Sequence, residues 1–130
     1  VVTGDAVQKA RARARAAFES AHYDGQCTVI EHQEVTNERS KLTNYEDHAV
    51  LEDQECHLSY AKVNAAIQSE SAAAVTQIVK LFISPDVEIK PGSKIVVTQA
   101  GRTETYTHSG IPAVYETHQE IILDPFERWS

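Results

Sequence analysis

Residues 75–106 read "VTQIVKLFISPDVEIKPGSKIVVTQAGRTETY", and this block decides the fold. In its first nine residues Val75, Gln77, Val79, Leu81 and Ile83 fall on one side at period two, the pattern of a half-buried strand. Pro85 cannot donate to a strand ladder and Pro91 fixes φ, so the acidic stretch between them forces the chain out of one strand and into the next. Such an elbow also blunts a sheet edge against uncontrolled pairing. "SKIVVTQ" then reads as a second strand and "RTETYTHSG" as a third. Ala100 and Gly101 supply the hairpin turn between them, where glycine tolerates positive φ.

Downstream, "PAVYETHQEIIL" closes the sheet and "DPFERWS" is a terminal tail. Upstream, "QCTVIEHQEV" alternates and is rich in β-formers. "TNERSKLTNYED" is polar and reads as a long hairpin loop, and "HAVLEDQECHLSYAKV" holds one or two short strands. "NAAIQSESAAA" has neither strand alternation nor a strong helical stripe, and reads as a loop or a short weak helix. The one good helix is "GDAVQKARARARAAFESAHYDG", with Asp5 as N-cap and Gly25 beyond its end. Val7, Ala10, Ala14, Ala17 and Phe18 lie on one side of it. That stripe is thin, so the helix rests on the sheet or on a partner. The expectation is a mainly β fold: a small β-barrel or sandwich (26–123) with one N-terminal α-helix (5–20), a long inter-strand loop and a C-terminal tail (124–130).

The 130 residues fit a single domain, 1–130, and a chain of this length can bury a core without a disulfide scaffold. Apolar content of 42% and charged content of 24% are ordinary for a folded protein. Cys27 and Cys56 sit in alternating apolar stretches. The favoured reading is two reduced core thiols; a bridge, or a metal or redox role, stays open. No apolar run is long enough to span a membrane. No secretory leader is read at the N-terminus, and Val1 in place of a Met points to removal or trimming of the start. The net charge of −7 is uneven. Lys9, Arg11, Arg13 and Arg15 stand within seven residues with no acid among them, on an otherwise acidic chain. A basic terminus on an acidic body suits docking onto an acidic neighbour or another copy. A nucleic-acid binder would carry its basic charge on the body.

Catalytic signatures are absent. His22, His32, His48, His57, His108 and His118 are scattered, with no paired spacing of metal ligands, and each reads as a surface or capped polar residue. Cys56 and His57 are strand neighbours that point to opposite faces and cannot clasp one ion. Glu46, Asp47, Glu52, Asp53 and Glu55 read as a solvated acidic hairpin rather than a glycosidase pair. Ser71 and Ser109 have no activating partner at a suggestive spacing. The expectation is no enzyme, with no catalytic residues, no metal and no cofactor. In the tail, Phe126, Arg128 and Trp129 either pack on the chain's own sheet or dock into a neighbour.

The order of parts resembles the stopper or head-tail joining family of head-tail connector proteins in long-tailed double-stranded DNA phages and prophages. The likeness is carried by "CTVIEHQEV", the polar hairpin loop, "CHLSYAKVNAAIQSESAAA", and the block of residues 79–106 with "IKPGSKIVV" at its centre. It covers most of residues 25–123. The basic helix and the ending "HSGIPAVYETHQEIILDPFERW" depart from the best-known stoppers and look closer to prophage proteins of head-tail gene clusters.

The resemblance implies a virion protein, present in the host cytoplasm during assembly. It would form a homo-oligomeric ring beneath portal and adaptor proteins, with tail proteins docking below and no membrane partner. The ring would continue or close the DNA channel, with only non-specific proximity to the duplex. The family's channel loop falls on residues 59–74, with Ser59, Tyr60, Lys62, Gln68, Ser69, Glu70 and Ser71 as its candidates. A cationic lining would release counterions from phosphate and arrest the duplex, so a neutral-to-acidic loop suits passage. Lys9, Arg11, Arg13, Arg15, Phe126, Arg128 and Trp129 are then the candidate assembly residues. Alternatives are a tail-completion or adaptor role in the same connector, a small monomeric β-barrel binding module, or a hydrolase with a carboxylate site.

Overall fold

The computed structural model describes residues 4–64 and 75–129. One helix, α1 (Gly4–His22), precedes seven strands: β1 (Gly25–Thr36), β2 (Thr43–Asn64), β3 (Val75–Ile83), β4 (Lys94–Gln99), β5 (Arg102–Thr107), β6 (Ala113–Val114) and β7 (Gln119–Pro125). All pairings are antiparallel. The order β3-β2-β1-β4-β5-β7-β6 closes on itself through β3 and β7, giving a ring-like sheet. The closing strand changes partner along its length. Gln119 and Glu120 pair with β6, whereas Asp124 and Pro125 pair with β5. On its other side β7 pairs with β3 from Gln119 to Leu123.

Period-two alternation builds the interior. Cys27 and Val29 of β1, Cys56 and Leu58 of β2, Leu81 and Ile83 of β3, Ile95 and Val97 of β4, Tyr106 of β5, and Ile121 and Leu123 of β7 all turn inward and are buried. Each fully buried aliphatic side chain among them stabilises the fold by about 1.5–3 kcal/mol. The same alternation identified Leu81 and Ile83 from sequence alone. The hairpin at Ala100 and Gly101 is also as expected, with φ of 53° and 76°, the left-handed pair that suits a two-residue turn.

The proline elbow plugs the ring. Ile89 is buried and Val87 packs against the core beside it. Pro91 and Gly92 occupy the middle of a tight turn in which the Ser93 N–H donates to the Lys90 carbonyl at 3.1 Å and Gly92 has φ 85°. That geometry needs proline second and a residue tolerant of positive φ third. Three further bonds pin the segment. The Gln119 side-chain amide donates to the carbonyls of Ser84 (2.8 Å) and Val87 (2.5 Å), and His108 Nε2 donates to the Ile89 carbonyl at 2.9 Å. His108 is therefore a core residue, 1% exposed, the capped and not the surface case of the two expected.

Strand β2 departs most from expectation. It is one strand of 22 residues rather than one or two short ones, about 70 Å of extended chain. Its register against β1 shifts twice, between Cys27 and Val29 and between Val29 and Ile30. Asp53 sits at the first shift with φ 51°. Extra residues of this kind bend a strand and raise its twist. Beyond the bends, residues 31–36 and 43–48 pair as a two-stranded ribbon, past the end of β4. The hairpin loop thus shrinks to residues 37–42. At the other end residues 61–64 and 75–78 pair as a second ribbon, beyond the reach of β7. The loop expected to begin at Ser59 therefore does not. The β3 ladder holds β2 extended through Asn64, and residues 65–74 lie outside the described residues.

Candidate functional site

Helix α1 runs from Gly4 to His22, slightly longer than expected, so Asp5 stands in its first turn and not at its cap. Its residues split between faces in a way the sequence stripe did not show. Arg11, Arg15, Phe18 and His22 follow i, i+4, i+7, i+11 spacing and share one face. Arg15 Nη2 donates to Ser84 Oγ at 3.0 Å and to Asp86 Oδ2 at 2.6 Å. Arg11 meets Glu116 at 3.4 Å. The Phe18 ring stacks on His118 at 4.4 Å and on His22 at 4.1 Å. Two of the four basic residues thus hold the helix to its own body. Lys9 and Arg13, also four apart, lie on the opposite side. Ala10, Ala14 and Ala17, expected to face inward, are exposed, and no residue of the helix is buried. Alanine buries too little to compete with the Phe18 stack and the two arginine contacts, so those set the rotation.

The tail lies on the chain's own surface. The Phe126 N–H donates to the Thr105 carbonyl at 3.1 Å, and Lys94 Nζ stands 5.1 Å above the Phe126 ring. Trp129 meets Phe126 edge-on at 5.0 Å and stacks on His32 at 4.8 Å. His32 in turn stacks on Tyr45 at 4.9 Å and pairs with Asp47 at 2.8 Å. This stack clamps the base of the first ribbon and walls an open cleft of about 540 Å³. Arg128 is exposed. Sequence reasoning read the β1 side of this ribbon, "EHQEV", as strand and missed its partner. "TNERSKLTNYED" is polar on both faces and reads as a loop unless the pairing is known.

Of the channel-loop candidates, Ser59, Tyr60 and Lys62 stand on β2, the last two exposed; Gln68, Ser69, Glu70 and Ser71 lie outside the described residues. Tyr60 borders a second cleft of about 530 Å³ with Leu58, Gln77, Val79, Gln99 and Tyr106. Burial, then a hydrogen bond with Tyr60, pushes the Tyr106 hydroxyl up to about 12. Gln99 performs a structural task at this end. Its amide accepts from the Leu58 N–H at 2.7 Å and donates to the Leu58 carbonyl at 3.1 Å, standing in for strand backbone where β1 ends. A Cβ at Gly25 would lie 3.0 Å from Gln99 Oε1, so the amide fits against bare backbone.

The remaining polar chemistry is pairwise. His57 meets Asp24 at 2.7 Å, His118 meets Glu120 at 3.0 Å and His48 meets Glu46 at 3.2 Å. Among the described residues no group of three His, Cys, Asp or Glu converges as a metal site would. Cys27 and Cys56 are buried free thiols side by side. A hydrogen bond with Cys27, then burial, pushes the Cys56 thiol well up, while that bond from Cys56 lowers Cys27. Burial, then Glu19, pushes Tyr23 up to about 12. Among the described residues no helix is long and apolar enough to cross a membrane. Exposed apolar side chains are spread over Leu42, Tyr45 and Val50 on and beside the first ribbon, Tyr60 at the root of the second, and Ile111, Val114 and Tyr115 around β6.

No protein-family model matches the chain, and no curated protein matches it. Among solved structures it is similar to the phage-like element PBSX protein xkdH of Bacillus subtilis. The two share 10% identity and a TM-score of 0.47, over 77% of this chain and 91% of that one.

Proposed function

We propose that the chain is a non-enzymatic structural protein of a phage or prophage head-tail connector, one subunit of a ring that continues the DNA channel. One observation carries the reading. A single 22-residue strand runs through the closed sheet and leaves it at both ends as a two-stranded ribbon. A two-stranded ribbon is marginal on its own in water, so two of them on a small body suit a part whose ribbons are completed by neighbours. The second ribbon leads into residues 65–74, the later part of the stretch 59–74 that the resemblance assigns to the channel. In the proposed arrangement that end faces the ring axis, while the body meets portal and adaptor proteins above and tail proteins below. The acidic character of the chain keeps the bore from holding phosphate.

The test is removal of residues 65–74 in favour of a tight turn. Loop closure depends weakly on length, so the sheet should still fold. Particles carrying the shortened protein should lose packaged DNA before tail attachment or fail to join tails. Full retention with normal tail joining contradicts the channel role. Sedimentation of the unaltered protein separates this reading from a monomeric binding module, which would stay a monomer at every concentration.

A further inference from the structure

We infer that the outward face of α1 docks on the acidic β1–β2 ribbon of the next copy, and that this head-to-tail contact builds the ring. The inference rests on the ring reading above and names the surface that reading leaves open.

Three observations converge on it. First, the helix has an outward side, where Lys9 pairs locally with Asp5 at 3.4 Å. Arg11, Arg15 and Phe18 tie one face to Glu116, Asp86 and His118, which fixes Lys9 and Arg13 pointing the other way. Between them and the docked face lie Ala10, Ala14 and Ala17, all exposed. Alanines let a partner backbone approach the helix closely, with the two cations on its flank. Second, the ribbon is the matching surface. It carries Glu34, Glu38, Glu46 and Asp47, all exposed, against Arg39 and Lys41 near its tip. Exposed Leu42, Tyr45 and Val50 supply apolar area along the same arm. Third, the two surfaces are different patches of one chain. A contact between unlike patches is heterologous, so it does not stop at a dimer; it builds a ring where the rotation closes and an open filament where it does not. The chain's own helix cannot satisfy its own ribbon by this face, because the Arg15 and Phe18 contacts hold the face turned away from its own body.

Charge reversal in two separate chains tests the inference. One chain carries Lys9→Glu and Arg13→Glu; the other carries Glu34→Lys, Glu38→Lys and Glu46→Lys, leaving Asp47 to its pair with His32. None of these side chains is buried, and thermal melts of each chain check that the sheet is intact. Alone, each variant sets like charge against like at every contact and should associate roughly tenfold or more weakly than the unaltered chain. Mixed in equal amounts, every contact again pairs opposite charges, so assembly should return to within about threefold of the original. Recovery on mixing, with neither variant assembling alone, supports the contact. Assembly of both variants alone at the unaltered strength overturns it while leaving the ring reading intact. Weakened variants that do not recover on mixing also overturn it, since the charges then act elsewhere. An unaltered chain that never associates removes the ring reading itself.

Discussion

Asp53 holds φ at 51°, a conformation that glycine adopts freely and a β-branched side chain resists. It does so at the bend where β2 leaves the closed sheet. Asp53→Val should therefore cost about 1–2 kcal/mol, whereas Asp53→Gly should leave stability nearly unchanged. Urea midpoints of the two variants check this; equal losses would show that the side chain, not the backbone, matters there. Gln99 is a second such residue. Gln99→Ala leaves the Leu58 N–H and carbonyl without their partner and should cost about 1–3 kcal/mol. Tyr23 gives a pH signature. Its hydroxyl keeps its proton to about 12 in the fold against 10 when unfolded. The contribution is complete below pH 10 and is lost as pH rises toward 12, because the unfolded chain releases the proton first. Tyr23→Phe should flatten the fall in urea midpoint between pH 10 and 12, and an unchanged slope would contradict the assignment. Part of the core was legible at this scale, since alternation picked out Leu81 and Ile83. Asp53 and Gln99 were not. A bulge is set by register against β1, and the Gln99 amide finds its backbone partner 41 residues away.

At the scale of elements, the boundaries that sequence misjudged are those of the two ribbons. Alternation reveals a strand when one face is buried, and residues 43–50 are exposed throughout. Backbone pairing with β1 keeps them extended without any apolar pattern to announce it. The helix was legible as a helix but not in its rotation. The alanine stripe suggested one inward face, and Arg11, Arg15 and Phe18 selected another. The tail supports the first ribbon through the stack of Trp129, His32 and Tyr45. Each ring pair of this kind contributes about 0.5–1.5 kcal/mol beyond its buried area. Trp129→Ala should therefore speed amide exchange across residues 31–36 and 43–48 while leaving β3 and β4 protected. Exchange rising equally in the core strands would show that the tail supports the sheet as a whole.

At the scale of the whole molecule, a closed sheet accounts for the fold, while its projections exceed what folding requires. The helix buries none of its residues, the ribbons leave the sheet at both ends, and the cations and acids are sorted onto different projections. Under the proposed function such a body is completed by copies of itself, which would enclose the DNA channel. The exposed charges would then make association sensitive to salt, because exposed ion pairs are screened beyond a Debye length. The most direct test is electron microscopy of the purified chain at low salt, across a rising series of concentrations. The account predicts closed rings with an open centre that admits duplex DNA, dissolving as salt is raised. A chain that remains monomeric at every concentration and salt level would contradict it.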